Sequence, residues 1–311
     1  MRLPRLNHLT GFRWWRHMKP RDDSPEIMVR QNAEISRRLL SPTPCAIGKI
    51  GTTELLGLEY FHRWIRPPWP ATASWRRPAR RLYDCSGVFP VRKDVFYRWA
   101  EEYRKSLAAL DVVAQWQPGN TFEGILESKI IQSFCPNAFR AGTSLLRILT
   151  PKAPWLDQLA GMKWLIVHPF EKTIRSQLPQ LCKQGVFSES VKKDLENRSY
   201  DARITPCPQF AYMVPPVHRD WFQTLDEIKL AMAKLDFDIL LVGAGAWSLP
   251  LAAHAKSLGR KAIHLGGALQ LLFGIKGGRF DTQGVYNENW IRPLPEEIPT
   301  HFFKMENGAY W

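Results

Sequence analysis

The segment DILLV at residues 238–242, followed at once by a glycine-rich turn, constrains the fold more than any other part of this chain. A short run of apolar residues without alternation is typical of a strand buried on both faces, as in parallel sheets. The turn holds Gly243 and Gly245, a helix then runs to about residue 258, and a second strand follows at residues 261–264. Such a unit predicts a right-handed crossover between parallel strands. We therefore predict an α/β fold with a central, mostly parallel, Rossmann-like sheet flanked by helices.

Two further segments, residues 45–51 and 163–167, are also short, apolar and followed by turns. With the two strands above, they give four strand ends that stop at polar or glycine-rich turns: residues 48–51, 168–169, 243–245 and 264–267. In an open parallel sheet the carboxyl ends of the strands lie at one edge, and ligands bind there. The sequence thus predicts that the four turns converge on one cleft.

Apolar residues recur at helical spacing over residues 24–40, 95–110 and 219–235, which predicts amphipathic helices. A chain of 311 residues buries a core without disulfide or metal support. We predict a basic N-terminal extension with its helix at residues 1–40 and one domain at residues 41–311.

The chain carries 43 lysine and arginine residues against 29 aspartate and glutamate residues, a net charge of +14. This excess predicts an anionic partner: a nucleic acid, a lipid surface or a phosphorylated small molecule. The first 21 residues hold six basic side chains and the adjacent Trp14 and Trp15, without an acid. This arm is either a solvated tail or an anchor whose tryptophans lie at the headgroup level of an anionic membrane.

Residues 63–81 combine six arginines, three tryptophans and four prolines. The prolines predict a long irregular loop. Its interpretation is open between a lid that binds an acceptor and a basic surface loop held by buried tryptophans.

Cysteine usage and hydropathy predict a cytoplasmic protein. The five cysteines form no C-x-x-C pair, which disfavours a zinc site or a disulfide framework and favours reduced thiols. The N-terminus has no long apolar run typical of a signal peptide, and residues 239–253 are too short to span a bilayer. Peripheral binding to the inner face of the cytoplasmic membrane would follow from the basic arm.

Glycines and basic residues at the strand ends are candidates for binding a phosphate. Backbone amides in Gly243-x-Gly245 can approach a phosphate near a helix N-terminus. Lys276 and Arg279 flank two glycines and form a candidate diphosphate clamp. The alternatives are close helix–strand packing for the turn and an exposed hairpin for the basic loop.

His168 and His264 each end a predicted strand. A histidine there can hold a diphosphate or a sugar hydroxyl, or it can be structural. His264 also stands where a dinucleotide-binding fold carries a ribose-binding acid, and Ser248 replaces the third glycine of that fingerprint, which argues against NAD. Leu241 stands where a methyltransferase would carry an acid. A Rossmann-like oxidoreductase or methyltransferase is the alternative enzyme class, and these departures from the two fingerprints count against it.

Glu54 opens the helix predicted after the Gly51 turn, with Thr52 or Thr53 as its cap. The helix dipole alone favours a carboxylate in a first turn. The functional alternative is a metal ligand or an acceptor for sugar hydroxyls.

Several blocks of the chain resemble a known glycosyltransferase family. Residues 49–54, KIGTTE, look like the Arg-x-Gly-Asp-x-Glu-type segment of GT-D fold glycosyltransferases. The blocks that resemble a GT-D-like family of bacterial polysaccharide gene sets are residues 168–170, 237–247, 262–276, 286–293 and 306–311. The resemblance covers roughly residues 45–311.

This resemblance implies transfer of a sugar from a nucleotide-sugar donor to a glycan or lipid-linked acceptor in surface-polysaccharide biosynthesis. Enzymes of the GT-D fold use an Asp-x-Glu motif with a divalent metal, Mn²⁺ or Mg²⁺. Here Thr52 stands in place of the aspartate, and Glu54 alone remains as a metal ligand. Lys49 occupies the basic position and could replace part of the metal's charge on the departing diphosphate.

With what the resemblance implies, we predict a nucleotide-sugar-dependent glycosyltransferase. Glu54 would position a metal or the sugar, and Asp281 or Glu288 would be the general base for the acceptor. The residues predicted to hold the donor are Lys49, Gly51, His168, Gly243, Gly245, His264, Gly266, Gly267, Lys276 and Arg279. The non-enzymatic alternative is a basic module that binds a membrane or nucleic acid, although we do not expect nucleic acid as the partner.

Overall fold

A computed structural model describes residues 24–62, 75–149, 153–197, 203–205 and 214–311. Within these residues the chain forms one seven-stranded sheet in the order β3-β2-β1-β7-β6-β4-β5, and every neighbouring pair is parallel. The strands are β1 (Ala46–Lys49), β2 (Val112–Ala114), β3 (Phe139–Ala141), β4 (Trp164–Val167), β5 (Arg203–Thr205), β6 (Ile239–Val242) and β7 (Lys261–His264). The predicted α/β fold with a parallel, Rossmann-like sheet is confirmed.

Helices cover both faces of the sheet. In chain order they are α1 (Pro25–Leu40), α2 (Thr52–Phe61), α3 (Arg76–Ser86), α4 (Lys93–Ala108), α5 (Phe122–Phe134), α6 (Glu171–Gln177), α7 (Glu189–Asn197), α8 (Trp221–Ala233), α9 (Ser248–Ser257) and α10 (Leu269–Leu272). One face is covered by α2 to α5, α8 and α9, and the opposite face by α1, α6, α7, α10 and the segment after residue 273.

Strand β6 shows how the apolar pattern builds both cores. Leu240 and Val242 face the core under α8 and α9, whereas Ile239 and Leu241 face the core under α6 and α10. All four side chains are fully buried. The unalternating run therefore exists because each face of the strand lies against helices.

The chain leaves the carboxyl edge of the sheet in two directions. After β1 and β6 it enters helices of the first face, and after β4 and β7 it enters helices of the opposite face. Because β1, β7, β6 and β4 are consecutive in the sheet, these diverging connections open a cleft at that edge, as expected at a topological switch point.

Two local predictions were wrong. The cap of α2 is Gly51, with no side-chain hydrogen bond, and Thr52 and Thr53 lie inside the helix. Residues 76–81, predicted as irregular loop, belong to α3, whose buried stripe includes Ala79 and Leu82. Residues 63–74 of the same predicted loop lie outside the described residues.

Helix α1 is packed against the sheet. Ser24 caps it by accepting the N–H of Ile27 at 3.4 Å, and Ile35 and Leu39 are buried in the second core. The basic arm lies outside the described residues, so the domain boundary at residue 40 stays a prediction. None of the helices in the described ranges combines the length and the apolarity that crossing a bilayer requires.

Candidate functional site

A cavity of about 570 Å³ lies at the carboxyl edge of the sheet, at the ends of β1, β4, β6 and β7. The four predicted turns therefore do converge on one cleft. The predicted site residues that line it are Lys49, Gly51, Glu54, His168, Gly243, Gly245, His264, Gly266, Gly267 and Arg279.

Lys49, the last residue of β1, and Glu54, in the first turn of α2, form the first charged pair of the cavity. Lys49 Nζ lies 4.8 Å from the centre of the Trp116 ring, and Trp116 Nε1 donates to the carbonyl oxygen of Ile50 at 2.8 Å. Burial raises the pKa of the Glu54 carboxyl and lowers the pKa of the Lys49 amine, and each charge opposes the other's shift. The two side chains are thus poorly hydrated, and their opposite charges partly offset the cost of burial.

Gly51 leaves the space that this pair needs. A Cβ at Gly51 would lie 2.0 Å from Glu54 Oε2, so a larger residue would displace the carboxylate. Ser86, at the end of α3, donates a hydrogen bond to the same carboxylate. Glu54 therefore folds back over the start of its helix, as the dipole interpretation predicts, and still lines the cavity.

The residues of the metal motif make no carboxylate cluster. Thr52 Oγ1 accepts from Gln117 Nε2 at 2.7 Å, and the Gln117 N–H donates to the buried carboxylate of Glu127 at 2.9 Å. Among the described residues no three His, Cys, Asp or Glu side chains are placed to hold a metal ion. Thr52 is therefore hydrogen-bonded to Gln117, and Lys49 is the cation that acts on Glu54 in the described part of the chain.

The two predicted histidines line the cavity as neutral rings. His168 and His264 are 3% and 4% exposed, and burial lowers the pKa of each to about 3. His168 Nδ1 accepts the N–H of Phe170 at 3.0 Å, which leaves Nε2 as its protonated nitrogen. Such a ring can donate to a ligand oxygen but brings no charge to a phosphate.

Two backbone amides of the turn after β6 donate hydrogen bonds within the protein. The N–H of Gly243 donates to the carbonyl of Val167 at 3.0 Å, and the N–H of Ala244 donates to Ser248 Oγ at 2.8 Å. A Cβ at Gly243 would lie 2.7 Å from the carbonyl oxygen of Gly266. Gly243 is therefore needed for close packing, and the amides of Gly243 and Ala244 are already engaged within the protein.

Gly266 and Gly267 bring two cations together. A Cβ at Gly266 would lie 2.6 Å from Lys49 Cε, and a Cβ at Gly267 would lie 2.9 Å from Arg279 Nη1. Gly266 also has a φ of +57°, which favours glycine. The missing side chains let a lysine from β1 and an arginine from beyond α10 approach the same dipeptide.

Arg279 and Glu306 form the second charged pair. Arg279 Nη2 donates to Glu306 Oε2 at 2.9 Å, and the guanidinium lies 3.9 Å from the centre of the Tyr310 ring. The Arg279 side chain is 12% exposed and the Glu306 side chain 37%. Glu306 and Asn307 have φ values of +46° and +55°, in the left-handed region that non-glycine residues rarely adopt.

Three predicted site residues lie outside the cavity. Lys276 Nζ lies over the Tyr286 ring, 5.8 Å from its centre. Asp281 is exposed and pairs with Arg292 at 2.8 Å, and Glu288 is exposed. The geometry therefore gives no support to Asp281 or Glu288 as general base or to Lys276 as part of the clamp.

Other residues that line the cavity were not predicted. They include Cys85, Ser86, Trp116, Thr143, Arg147, Glu306 and Tyr310. Glu306 and Tyr310 lie in the last block that carries the resemblance, which was the available signal. The others come from α3 and from the segments after β2 and β3, which contain no recognisable ligand motif.

The chain matches no protein-family model, no curated protein and no solved structure.

Proposed function

We propose that this protein is a glycosyltransferase that binds a nucleotide-diphosphate sugar in the cavity and transfers the sugar to a hydroxyl of a glycan or lipid-linked acceptor. The observation that carries the proposal is the meeting of Lys49 and Arg279 at the Gly266-Gly267 dipeptide. Two cations beside one glycine turn, at the carboxyl edge of a parallel sheet, suit a diphosphate.

The remaining walls suit a sugar and its nucleoside. Glu54 and Glu306 offer carboxylate oxygens, and His168 and His264 offer neutral rings. Carboxylates accept hydrogen bonds from hydroxyl groups, whereas they repel additional phosphate. A cavity of about 570 Å³ is within the range of ligand pockets.

In the proposed reaction the chain itself supplies the charge that the leaving diphosphate needs. As the bond from the anomeric carbon to the diphosphate oxygen breaks, negative charge grows on that oxygen. Lys49 and Arg279 stabilise this charge in a largely buried site, where electrostatic interactions are stronger than in water. Glu54 holds the sugar by accepting from its hydroxyls.

The first experiment is nucleoside-diphosphate binding by the full chain. UDP, GDP, dTDP, ADP and CDP are tested by thermal shift and calorimetry, with and without manganese. We expect at least one to raise the melting temperature, because a ligand at 100 times its Kd stabilises by about 2.7 kcal/mol. The absence of a shift with all five, in both conditions, would refute the proposal.

We further propose that the protein works in the cytoplasm, at the inner face of the cytoplasmic membrane. Besides the basic arm, α3 presents Arg76, Arg77, Arg80 and Arg81 to solvent and ends in the cavity wall at Ser86. Each basic residue near an anionic surface contributes about 1 kcal/mol. A lipid-linked acceptor would then share a surface with the enzyme.

Vesicle flotation tests this location. The full chain should float with anionic vesicles and stay behind with neutral ones, and a chain starting at Asp22 should float much less. Equal flotation of the two chains would refute the role of the arm. A variant with the four α3 arginines changed to glutamine would then report on α3.

A further inference from the structure

Glu306 is the more accessible of the two carboxylates identified in the cavity wall. Its side chain is 37% exposed, whereas Glu54 is 6% exposed and accepts from Ser86. Only Oε2 of Glu306 is engaged, by Arg279, and Oε1 has no hydrogen bond from another described residue. Glu306 is therefore the more open of the two carboxylates, and its Oε1 is left for a ligand.

The backbone at Glu306 is held in a disfavoured conformation. Among the described residues, Glu306 and Asn307 are the non-glycine positions with positive φ. The turn is fixed by the N–H of Gly308, which donates to the carbonyl of Met305 at 2.9 Å, and by the N–H of Arg279, which donates to the carbonyl of Ala309 at 3.1 Å. Backbone strain that the surrounding structure maintains is frequent at functional sites. Here it directs a carboxylate to the cavity.

We infer that Glu306 is the general base that takes the proton from the acceptor hydroxyl, an inference that rests on the proposed glycosyl transfer. It replaces Asp281 and Glu288, which lie outside the cavity. It also separates the roles of the two carboxylates: Glu54 is enclosed with Lys49 and holds the sugar, and Glu306 faces the acceptor.

The transfer is a displacement at the anomeric carbon of the donor sugar. The acceptor oxygen forms a bond to the anomeric carbon, the bond from that carbon to the diphosphate oxygen breaks, and its electron pair leaves with the diphosphate. The acceptor proton passes to Oε1 of Glu306 and then to water. The charge gained by the diphosphate lies beside Lys49 and Arg279.

The ion pair with Arg279 links binding to this step. The donor diphosphate and Glu306 share one guanidinium, so a bound diphosphate draws Arg279 away from the carboxylate and adds negative charge nearby. In the empty site Glu306 therefore competes with the diphosphate for Arg279, and a bound donor leaves the carboxylate open to the acceptor.

The test compares the wild-type chain with Glu306→Gln and, as a matched control, Glu288→Gln. Binding of inorganic pyrophosphate is measured by calorimetry. Hydrolysis is measured as nucleoside diphosphate released from UDP-glucose, UDP-N-acetylglucosamine, GDP-mannose and dTDP-rhamnose. For Glu306→Gln we expect pyrophosphate affinity to stay equal or rise up to about tenfold, and turnover to fall at least about 100-fold. Glu288→Gln should match the wild type in both measurements.

The outcomes separate this inference from the proposed function. A wild-type chain that binds no pyrophosphate overturns both. Normal binding with unchanged turnover in Glu306→Gln overturns the base assignment alone. Weakened pyrophosphate binding in that variant would show that Glu306 positions Arg279, and this result also overturns the base assignment. Partial recovery of turnover in Glu306→Ala on addition of formate supports the base, because an added carboxylate would not restore a structural contact.

Discussion

The two charged pairs of the cavity have the same chemistry and different construction. Lys49 and Glu54 are five positions apart, at the end of one strand and the start of the next helix. Arg279 and Glu306 are 27 positions apart and lie in short turns of the segment after β7. The first pair is a product of one strand–turn–helix unit, and the second exists only when the C-terminal segment returns to the sheet edge.

This difference has consequences for charge. The first pair is enclosed, so burial shifts the pKa of both its members toward the neutral form. In the second pair, Tyr310 and Glu306 outweigh the effect of burial and raise the pKa of Arg279. We conclude that desolvation governs the first pair, whereas at Arg279 the contacts with Tyr310 and Glu306 together exceed the effect of desolvation. The two pairs should therefore respond differently when a charge is removed.

Neutralising the carboxylate of the first pair should lower turnover about as much as Glu306→Gln does. Glu54→Gln keeps the shape of the side chain and loses the charged acceptor for sugar hydroxyls. We expect turnover to fall about 100-fold, since a hydrogen bond to a charged group is worth about 1.5–3 kcal/mol. The melting temperature should change little, because burial already disfavours the charged form of Glu54 and so raises its pKa. Near-normal turnover would return Glu54 to a helix-capping role.

Removing the cation of the first pair should weaken anion binding. Lys49→Met keeps a long unbranched side chain and removes the ammonium group that lies over the Trp116 ring. We expect pyrophosphate affinity to fall about 30-fold, the lower part of the range for a charged hydrogen bond. Lys276→Met is the control, since Lys276 lies outside the cavity. Equal losses in the two variants would show that overall positive charge, rather than the site, binds the anion.

The buried histidines should make the protein sensitive to acid. A folded pKa of about 3 against the ordinary value of 6.5 means that only the unfolded chain takes up the proton between these limits. Stability is therefore intact above pH 6.5 and is lost as the pH falls toward 3. At pH 5 each histidine lowers the free energy of unfolding by about 2 kcal/mol.

Urea unfolding at pH 7 and pH 5 measures this loss in the wild type and in His168→Asn. The asparagine oxygen can accept the N–H of Phe170 as Nδ1 does. The variant should lose about 2 kcal/mol less than the wild type on acidification. His301→Asn, at an exposed position, should lose as much as the wild type. An identical pH dependence in all three chains would contradict the assignment.

The smallest effect should come from a substitution at Gly266, which packs against Lys49 and precedes the glycine beside Arg279. Gly266→Ala adds a Cβ against Lys49 Cε at a φ of +57°. We expect about 1–2 kcal/mol of lost stability and a few-fold loss of pyrophosphate affinity, because the lysine must shift. In Gly259→Ala the φ is +79° and no atom lies within 4 Å. That control should lose about 1 kcal/mol of stability and no affinity.

The elements that carry the first pair could be predicted from sequence. The strand ends at Gly48–Gly51, His168, Gly243 and His264 were visible because apolar runs and the turns after them are local patterns. Their convergence followed from the rule that parallel strands end at one edge, and the cavity confirms it. Arg279 was found because it lies beside glycines.

The second pair could not be completed in this way. Asp281 and Glu288 follow Arg279 closely in sequence, yet neither lines the cavity. Asp281 instead forms an ion pair with Arg292. Glu306 reaches Arg279 because the N–H of Gly278 donates to the carbonyl of Trp311 and the N–H of Arg279 donates to that of Ala309. No local pattern encodes such a return of the chain.

The sequence by itself therefore determined four strands of the parallel sheet, the turns after them and the strand–turn–helix unit that carries Lys49 and Glu54, because hydrophobic periodicity and turn chemistry act between neighbours in the chain. The tertiary structure decided which carboxylate faces Arg279, which glycine amides were already used, and which cations share the Gly266-Gly267 dipeptide. These depend on contacts between distant segments. Their geometry is set by the packing of the whole fold, which residue order alone does not specify.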